Sequence, residues 1–289
     1  MPFGNEKKDE KMKKPEVSIV LTTYDKLRYL EDAILSVHYQ TYKGIELFLV
    51  DDGSPNWKEI KDEVIRIISG LPPMSAILSC KLLLMEQQCG VPTARNLAID
   101  VSSGPCISYL DGDDLYDPQF VEVLKKALDD DPEAGLSYAR VKSVRGRGRI
   151  IERVLDRSIE GKLWNGNHGY WGVWLFRREI YDAIGGFHEW LTPWEDAEFI
   201  DSVMVHGYRT IECDHLYVYR REKGDTKERI SICKLTPKEI LWARRALCNP
   251  ASIAGNKVKD PRKILGLDKD ASIPPRRYHH PDFRIIDLI

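Results

Sequence analysis

The 289-residue chain lacks any apolar run approaching 18 residues, any C-x-x-C pair, any internal repeat and almost any net charge. Each absence removes a class of function. Without roughly 18 or more consecutive apolar residues no helix is expected to span a membrane. The first residues, through Lys14, are lysine-rich with no apolar segment, so no export signal is expected either. The six cysteines (Cys80, Cys89, Cys106, Cys213, Cys233 and Cys248) lie mostly in apolar company, which fits reduced, buried thiols better than a disulfide framework. Cytosolic residence is the expectation, with peripheral membrane contact compatible with it. Lys and Arg total 43 against 45 Asp and Glu, a formal charge of −2, so no global field recruits nucleic acid or an anionic surface. His206 and His215 have no spaced partner that would mark a histidine metal site.

What is present is a regular alternation. The composition, 43% hydrophobic and 30% charged, suits one large soluble domain or two closely joined ones. Residues 1–14 read as a disordered lead that Pro15 ends. Val17–Thr22, Ile45–Val50, Lys81–Met85 and Cys106–Leu110 are apolar, strand-like runs. Between them, helices are expected around Leu30–Val37, Trp57–Ile68 and Thr93–Val101, where apolar residues recur at helical spacing. Strand, helix, strand in strict order predicts βαβ crossovers and a mainly parallel sheet. A helix over Phe120–Leu128 and a strand over Gly135–Val144 continue the pattern, which then loosens. Beyond Ser231 the chain reads as an appendage, helical over Pro237–Leu247 and then irregular.

The densest chemical signal is Asp111-Gly112-Asp113-Asp114, directly after the strand Cys106–Leu110. Open α/β sheets keep their ligands at the carboxyl ends of their strands. Clustered carboxylates raise one another's pKa unless a proton or a cation sits among them. Mg²⁺ or Mn²⁺ takes such oxygen ligands, with phosphates and water completing the shell. A metal-diphosphate site is one reading; a polar turn in which Asp117 caps the next helix is the other.

Four stretches, in this order and spacing, resemble the family-2 glycosyltransferases of the GT-A fold. They are Leu21-Thr22-Thr23-Tyr24-Asp25-Lys26, Val50-Asp51-Asp52-Gly53-Ser54, Tyr109-Leu110-Asp111-Gly112-Asp113-Asp114 and Trp194-Glu195-Asp196-Ala197-Glu198-Phe199. The resemblance implies an α/β, Rossmann-like, mainly parallel sheet flanked by helices over residues 15–231. Residues 15–115 would form a nucleotide-sugar half, 116–231 an acceptor half, and 232–289 a C-terminal extension. By the same resemblance Thr22 and Tyr24 contact the nucleoside, and Asp52 accepts the N3–H of uracil. An ionised Asp accepts from an imide donor and repels an acceptor edge, so UDP- or dTDP-sugars are favoured over adenine nucleotides. Lys26 falls at a basic position near the diphosphate. Arg95, in Cys89-Gly90-Val91-Pro92-Thr93-Ala94-Arg95-Asn96, would balance the acidic cluster through its planar fork.

Asp113, with Asp111 or Asp114, would hold Mn²⁺ or Mg²⁺, and Asp196 matches the catalytic base, with Glu195 as its structural or acceptor-binding partner. Attack from the side opposite the leaving group would invert the sugar's C1. Trp171 and Trp174 stand where the family builds its acceptor floor, one at least of them suited to the core instead. Near the end of the match, Tyr219-Arg220-Arg221-Glu222-Lys223 has Glu-Lys where the family often places a His, so Arg220 or Arg221 is expected at the diphosphate.

The acceptor is a hydroxyl of unspecified identity. Arg140, Lys142, Arg145, Arg147, Arg149 and Arg153 form a basic segment with a hairpin expected at Arg145–Arg149, and residues 234–289 hold 12 Lys or Arg against 6 Asp or Glu. These regions suit an anionic polymer, a lipid-linked glycan or a nucleic acid as acceptor, or simply a solvated surface. A catalytically silent nucleotide- or carbohydrate-binding module is the competing reading. A sugar nucleotidyltransferase is disfavoured, because no Gly-rich phosphate loop follows the first strand.

Overall fold

The computed structural model describes residues 14–73, 75–145, 149–153, 174–189, 191, 195–221, 276–277 and 281–289. Strands β1 (Val17–Thr23), β2 (Ile45–Asp51), β3 (Ile77–Met85) and β4 (Cys106–Asp111) alternate with helices α1 (Leu30–His38), α2 (Trp57–Ser69) and α3 (Val91–Val101). β3 begins at Ile77, ahead of the expected start at Lys81. Its first residues carry exposed Leu78 and half-buried Ser79, which breaks the apolar run. Then follow β5 (Asp114–Tyr116), α4 (Phe120–Asp130), β6 (Ala134–Arg145), β7 (Arg149–Arg153), β8 (Trp174–Arg177), α5 (Arg178–Ile184), α6 (Glu195–Val205), β9 (Arg209–Arg221) and β10 (Phe283–Asp287).

The ten strands of the described residues form one sheet, in the order β10-β3-β2-β1-β4-β8-β6-β9-β5, with β7 on β6. The block β3-β2-β1-β4 is parallel, as the alternation predicts, and β6 pairs β9 in parallel as well. The remaining pairings are antiparallel. β1 and β2 are buried along their whole length, because helices cover them: α3 packs on both. Strands buried on both faces carry continuous rather than alternating hydrophobicity, and Val17–Leu21 and Leu47–Val50 are of that kind.

One charge inside this block has a local reason. Glu46, 5% exposed on β2, accepts hydrogen bonds from Ser18 Oγ (2.6 Å), Ser103 N (2.6 Å), Ser103 Oγ (3.0 Å) and Gly104 N (2.7 Å). A buried carboxylate satisfied this fully is a strut rather than a liability. It ties the turn that feeds β4 to β1 and β2, and so sets where β4 delivers its acidic end.

The stretch read as an appendage is partly built into the domain. β10 extends the sheet antiparallel to β3, with Phe283 opposite Met85 and Asp287 opposite Lys81. The helix expected over 237–247 lies outside the described residues, as do residues 1–13 and the tip of the expected hairpin at 146–148. Its two arms are β6 and β7, with Arg145 opposite Arg149. β5 had no sequence signal, since it is three residues long and its partner β9 lies about a hundred residues away.

Candidate active site

Parallel register brings the acidic motifs to one edge of the sheet. Thr23 stands opposite Asp51, and Thr22 opposite Asp111, so the loops after β1, β2 and β4 open side by side. Thr22 Oγ1 donates to Asp111 Oδ1 (3.4 Å), Gly112 N to Thr22 O (2.8 Å), and Asp52 N to Thr23 O (3.0 Å). Thr22 is 5% exposed and holds Asp111; Tyr24, just past the end of β1, is partly exposed.

Asp52 is 3% exposed. Its Oδ1 accepts from Cys89 N (2.8 Å) and Gly90 N (3.2 Å), and its Oδ2 from Gly90 N (2.9 Å). A carboxylate has about four lone-pair sites, which leaves room for one further donor. Gly53 makes this approach of the 86–90 loop feasible. Its φ is +72°, and a Cβ there would sit 2.3 Å from the Gln87 carbonyl carbon. Burial pushes the Asp52 carboxyl up to about 7, against the backbone N–H groups of Cys89 and Gly90, with repulsion from Asp51 adding to the rise.

Arg95, 2% exposed on α3, is the centre of the arrangement. Nη2 donates to Asp111 Oδ1 (2.9 Å) and Nη1 to Glu195 Oε1 (3.0 Å), while the guanidinium lies 3.7 Å above the Tyr109 ring. A forked cation with an aromatic face beneath it is suited to a dry site where lysine is not. Through Arg95 the end of β4 is joined to the start of α6. Asp196 acts on the same cation: with Asp111 and Glu195 it favours the charged guanidinium, against the burial that opposes it. Burial raises the Glu195 carboxyl to about 7, opposed by Arg95 and reinforced by Asp196. Asp196 itself keeps partial solvent access in the first turn of α6, whereas Glu195 is buried.

Asp113 is half-buried with Lys26 Nζ 3.3 Å from its Oδ2. Its carboxyl is raised by burial and by Asp111, and lowered by Lys26. Two neighbouring hard oxygen donors that repel each other fit a divalent cation that also takes phosphate and water oxygens. They do not form a closed protein cage. Among the described residues no three His, Cys, Asp or Glu converge on one point. Asp114 begins β5, opposite Tyr219, and is 3% exposed, so Asp111 and Asp113 are the more accessible of the three carboxylates.

Trp174 is corrected. It is fully buried on β8, between β4 and β6, edge-on to Tyr109 (5.5 Å) and stacked with Phe199 (6.3 Å), so it packs beneath the site and cannot meet an acceptor. Trp171 lies outside the described residues, as do the side chains of Arg220 and Arg221 and of the basic segment 140–153.

Sequence reasoning missed Asn96. It is 1% exposed, and its amide donates to Phe187 O (2.9 Å) and Glu189 Oε1 (3.1 Å) while accepting from Phe187 N (2.9 Å) and Tyr181 Oη (2.9 Å). It anchors α3 to the segment leading toward α6. The signal was its place next to Arg95; the partners, far along the chain, had none.

The model of the family described as "Glycosyl transferase family 2" matches residues 18–185, more than half of the chain. The glycosyltransferase GlyG of Streptococcus pneumoniae is 26% identical over 275 residues, covering 87% of this chain and 82% of its own length. An uncharacterized glycosyltransferase of Haemophilus influenzae is 35% identical over 104 residues, 36% of this chain and 38% of its own. Among solved structures, Staphylococcus aureus TarS in complex with UDP-GlcNAc superposes with a TM-score of 0.62 at 17% identity, covering 86% of this chain and 69% of that one. The mannosyltransferase PcManGT of Pyrobaculum calidifontis, in complex with GDP-Man and Mn²⁺, gives 0.59 at 21%, covering 88% and 68%. At these identities the structural likeness is one of fold, the GT-A arrangement of a helix-flanked mixed sheet. With the acidic ends of β2 and β4 beside the end of β1 and the family match running across all three strands, the chain belongs to the family-2 glycosyltransferases.

Proposed function

We propose that this glycosyltransferase moves a sugar from a uridine-type nucleoside diphosphate to a hydroxyl acceptor, with inversion at C1 and with a divalent cation at Asp111 and Asp113. The observation that supports it best is the buried Arg95 bonded to both Asp111 and Glu195. One cation thus serves the edge where a diphosphate would lie and the helix that bears the base. TarS bound to UDP-GlcNAc and PcManGT bound to GDP-Man and Mn²⁺ support a nucleotide-sugar donor, and the second of them a divalent cation.

The chain's own residues have separable roles. The Tyr24 ring offers a flat face to a base, and the remaining Oδ2 lone pair of Asp52 accepts the imide proton of uracil. Arg95 holds the Asp111 rotamer, and Lys26 adds positive charge beside the diphosphate. Asp196 removes the acceptor's proton as its oxygen attacks C1 from the side opposite the departing nucleotide. Bound Mn²⁺ or Mg²⁺ supplies Lewis-acid neutralisation of the leaving diphosphate. Asp113→Ala is expected to abolish the tightening of UDP binding by Mn²⁺ in titration calorimetry; tightening that survives the substitution removes Asp113 from the cation.

A pH dependence follows from Asp52. A carboxyl raised to about 7 is roughly a tenth ionised at pH 6 and nine-tenths at pH 8. The ionised form is the stronger acceptor for the imide N–H, so UDP affinity should rise by up to about tenfold between those values. Fold stability moves the other way: the raised pKa favours the protonated folded state, so this group's contribution is complete below the ordinary carboxylate range and is lost as pH rises through about 7. In Asp52→Asn both profiles should flatten, with UDP affinity at pH 8 reduced by about tenfold. An unaltered affinity profile in calorimetry contradicts the contact.

A further inference from the structure

We infer that the segment around Arg276 completes the catalytic unit: Arg276 is a positioning residue that fixes the first turn of α6, and with it Asp196, relative to the donor edge of the sheet. This rests on the reading of Asp196 as the base, and the residues involved lie beyond the family match, which ends at 185.

The contacts are dense for a stretch read from sequence as an appendage. Arg276 Nη1 donates to Glu198 Oε2 (2.7 Å) and to Gly186 O (3.2 Å); Nη2 donates to Glu198 Oε1 and to Ser202 Oγ (2.5 Å). Its carbonyl accepts from Glu189 N (2.9 Å). The pairing is bidentate, the geometry that conveys orientation as well as charge. Glu198 is fully buried and lies two residues after Asp196 in the first turn of α6. Ser202 Oγ, one turn on, donates to Glu198 Oε1 (2.8 Å). Burial alone would push the Glu198 carboxyl up; Arg276 leads the groups that reverse this and hold it below its ordinary value. Burial lowers the neighbouring His188 to about 4, and Arg276 is the first of the groups that favour the charged Glu198 carboxylate.

The next residue reaches the other side of the site. Arg277 forms a bidentate pair with Asp100 of α3, the helix that carries Arg95. The corner at Gly186 admits this approach. A Cβ there would lie 2.9 Å from Asn96 Oδ1 and 3.1 Å from Arg277 Cδ, and the φ of +86° favours glycine. Further on, Glu86 N donates to Asp282 O (3.0 Å), and β10 then runs along β3. Residues 276–277 therefore tie α6 to α3, and β10, later in the chain, pairs with β3 of the parallel block that presents Asp52 and Asp111.

The test uses the full chain with Arg276→Ala and Arg276→Lys. The readouts are UDP affinity by calorimetry, hydrolytic turnover of whichever of UDP-GlcNAc, UDP-glucose and GDP-mannose the unaltered chain cleaves, and amide exchange of peptides covering α6 and β1. Misplacing a reacting group by about 1 Å costs on the order of 10²-fold in rate. Arg276→Ala should lose about that in kcat, with UDP affinity and donor KM unchanged and faster exchange confined to α6. Arg276→Lys, which keeps the charge without the fork, should recover part of the turnover and of the α6 protection. If the alanine variant does not fold, the lysine variant decides by the same split. Unchanged α6 exchange and kcat in a folded variant overturn the proposal, as does a parallel loss of kcat and UDP affinity, which marks general loosening. Failure of the base reading looks different: Asp196→Asn would then retain turnover while the Arg276 variants still loosen α6.

Discussion

Asp196→Asn should lower turnover by roughly 10²–10⁴-fold, the usual worth of a positioned general base, while UDP affinity stays within about twofold. The expectation comes from the contrast between two adjacent acids. Glu195 is buried and engaged with Arg95, so it is held by a structural bond rather than offered to a substrate. Asp196 stands in the same helical turn, close enough to favour the charged Arg95 and the neutral Tyr109, yet it retains solvent access. An acceptor hydroxyl can approach it from the solvent side. Asparagine preserves shape and removes only basicity. Steady-state rates with donor hydrolysis as readout, beside Glu195→Gln, separate the two. Normal turnover in Asp196→Asn with a collapse in Glu195→Gln would transfer the base role to Glu195.

Arg95→Met should have the largest effect on stability. Removing one partner of a buried ionic cluster costs about 3–5 kcal/mol, because the charges left behind remain desolvated. For a domain of this size that corresponds to a fall in Tm of roughly 6–20 °C. Here Glu195 loses its cation in a dry site, Asp111 keeps access to water, and Tyr109 loses the cation over its face. The deficit should depend on pH in a defined direction. Arg95 lowers the Glu195 pKa, so its removal raises that pKa further and favours the protonated acid. A protonated Glu195 tolerates burial, so Arg95→Met should lose less stability at pH 5 than at pH 8. Arg95→Met combined with Glu195→Gln should recover much of the loss, since no buried charge then lacks a partner. Turnover should fall by about 10²-fold or more in the single variant, because Arg95 orients Asp111 and α6 together. A melting profile indifferent to both pH and the second substitution would show that the cluster is not an ionic one.

The short motifs already mark the residues that the fold gathers at the candidate site. Asp52, Arg95, Asp111, Asp113, Glu195 and Asp196 were each singled out from short motifs, and all of them lie around the carboxyl ends of β1, β2 and β4 or face them through Arg95. Parallel sheets make such inference feasible, because every strand of a βαβ series presents its carboxyl end on the same side. One assignment changed with the fold. Trp174 had the right chemistry for a sugar but sits buried on a central strand. That distinction is not encoded within a few residues of the position concerned.

The sequence by itself determined the alternating helices and strands, the parallel block they build and the placement of acidic residues just after apolar runs, since each depends on neighbours within about one element's length. Only the tertiary structure decided which carboxylate meets which cation. Arg95 finds Glu195 a hundred residues on, Asn96 finds Phe187 and Glu189, and Arg276 finds Glu198. Such pairings are selected by packing and by the cost of leaving a buried charge without a counter-charge, and that cost exists only once the chain has closed around it.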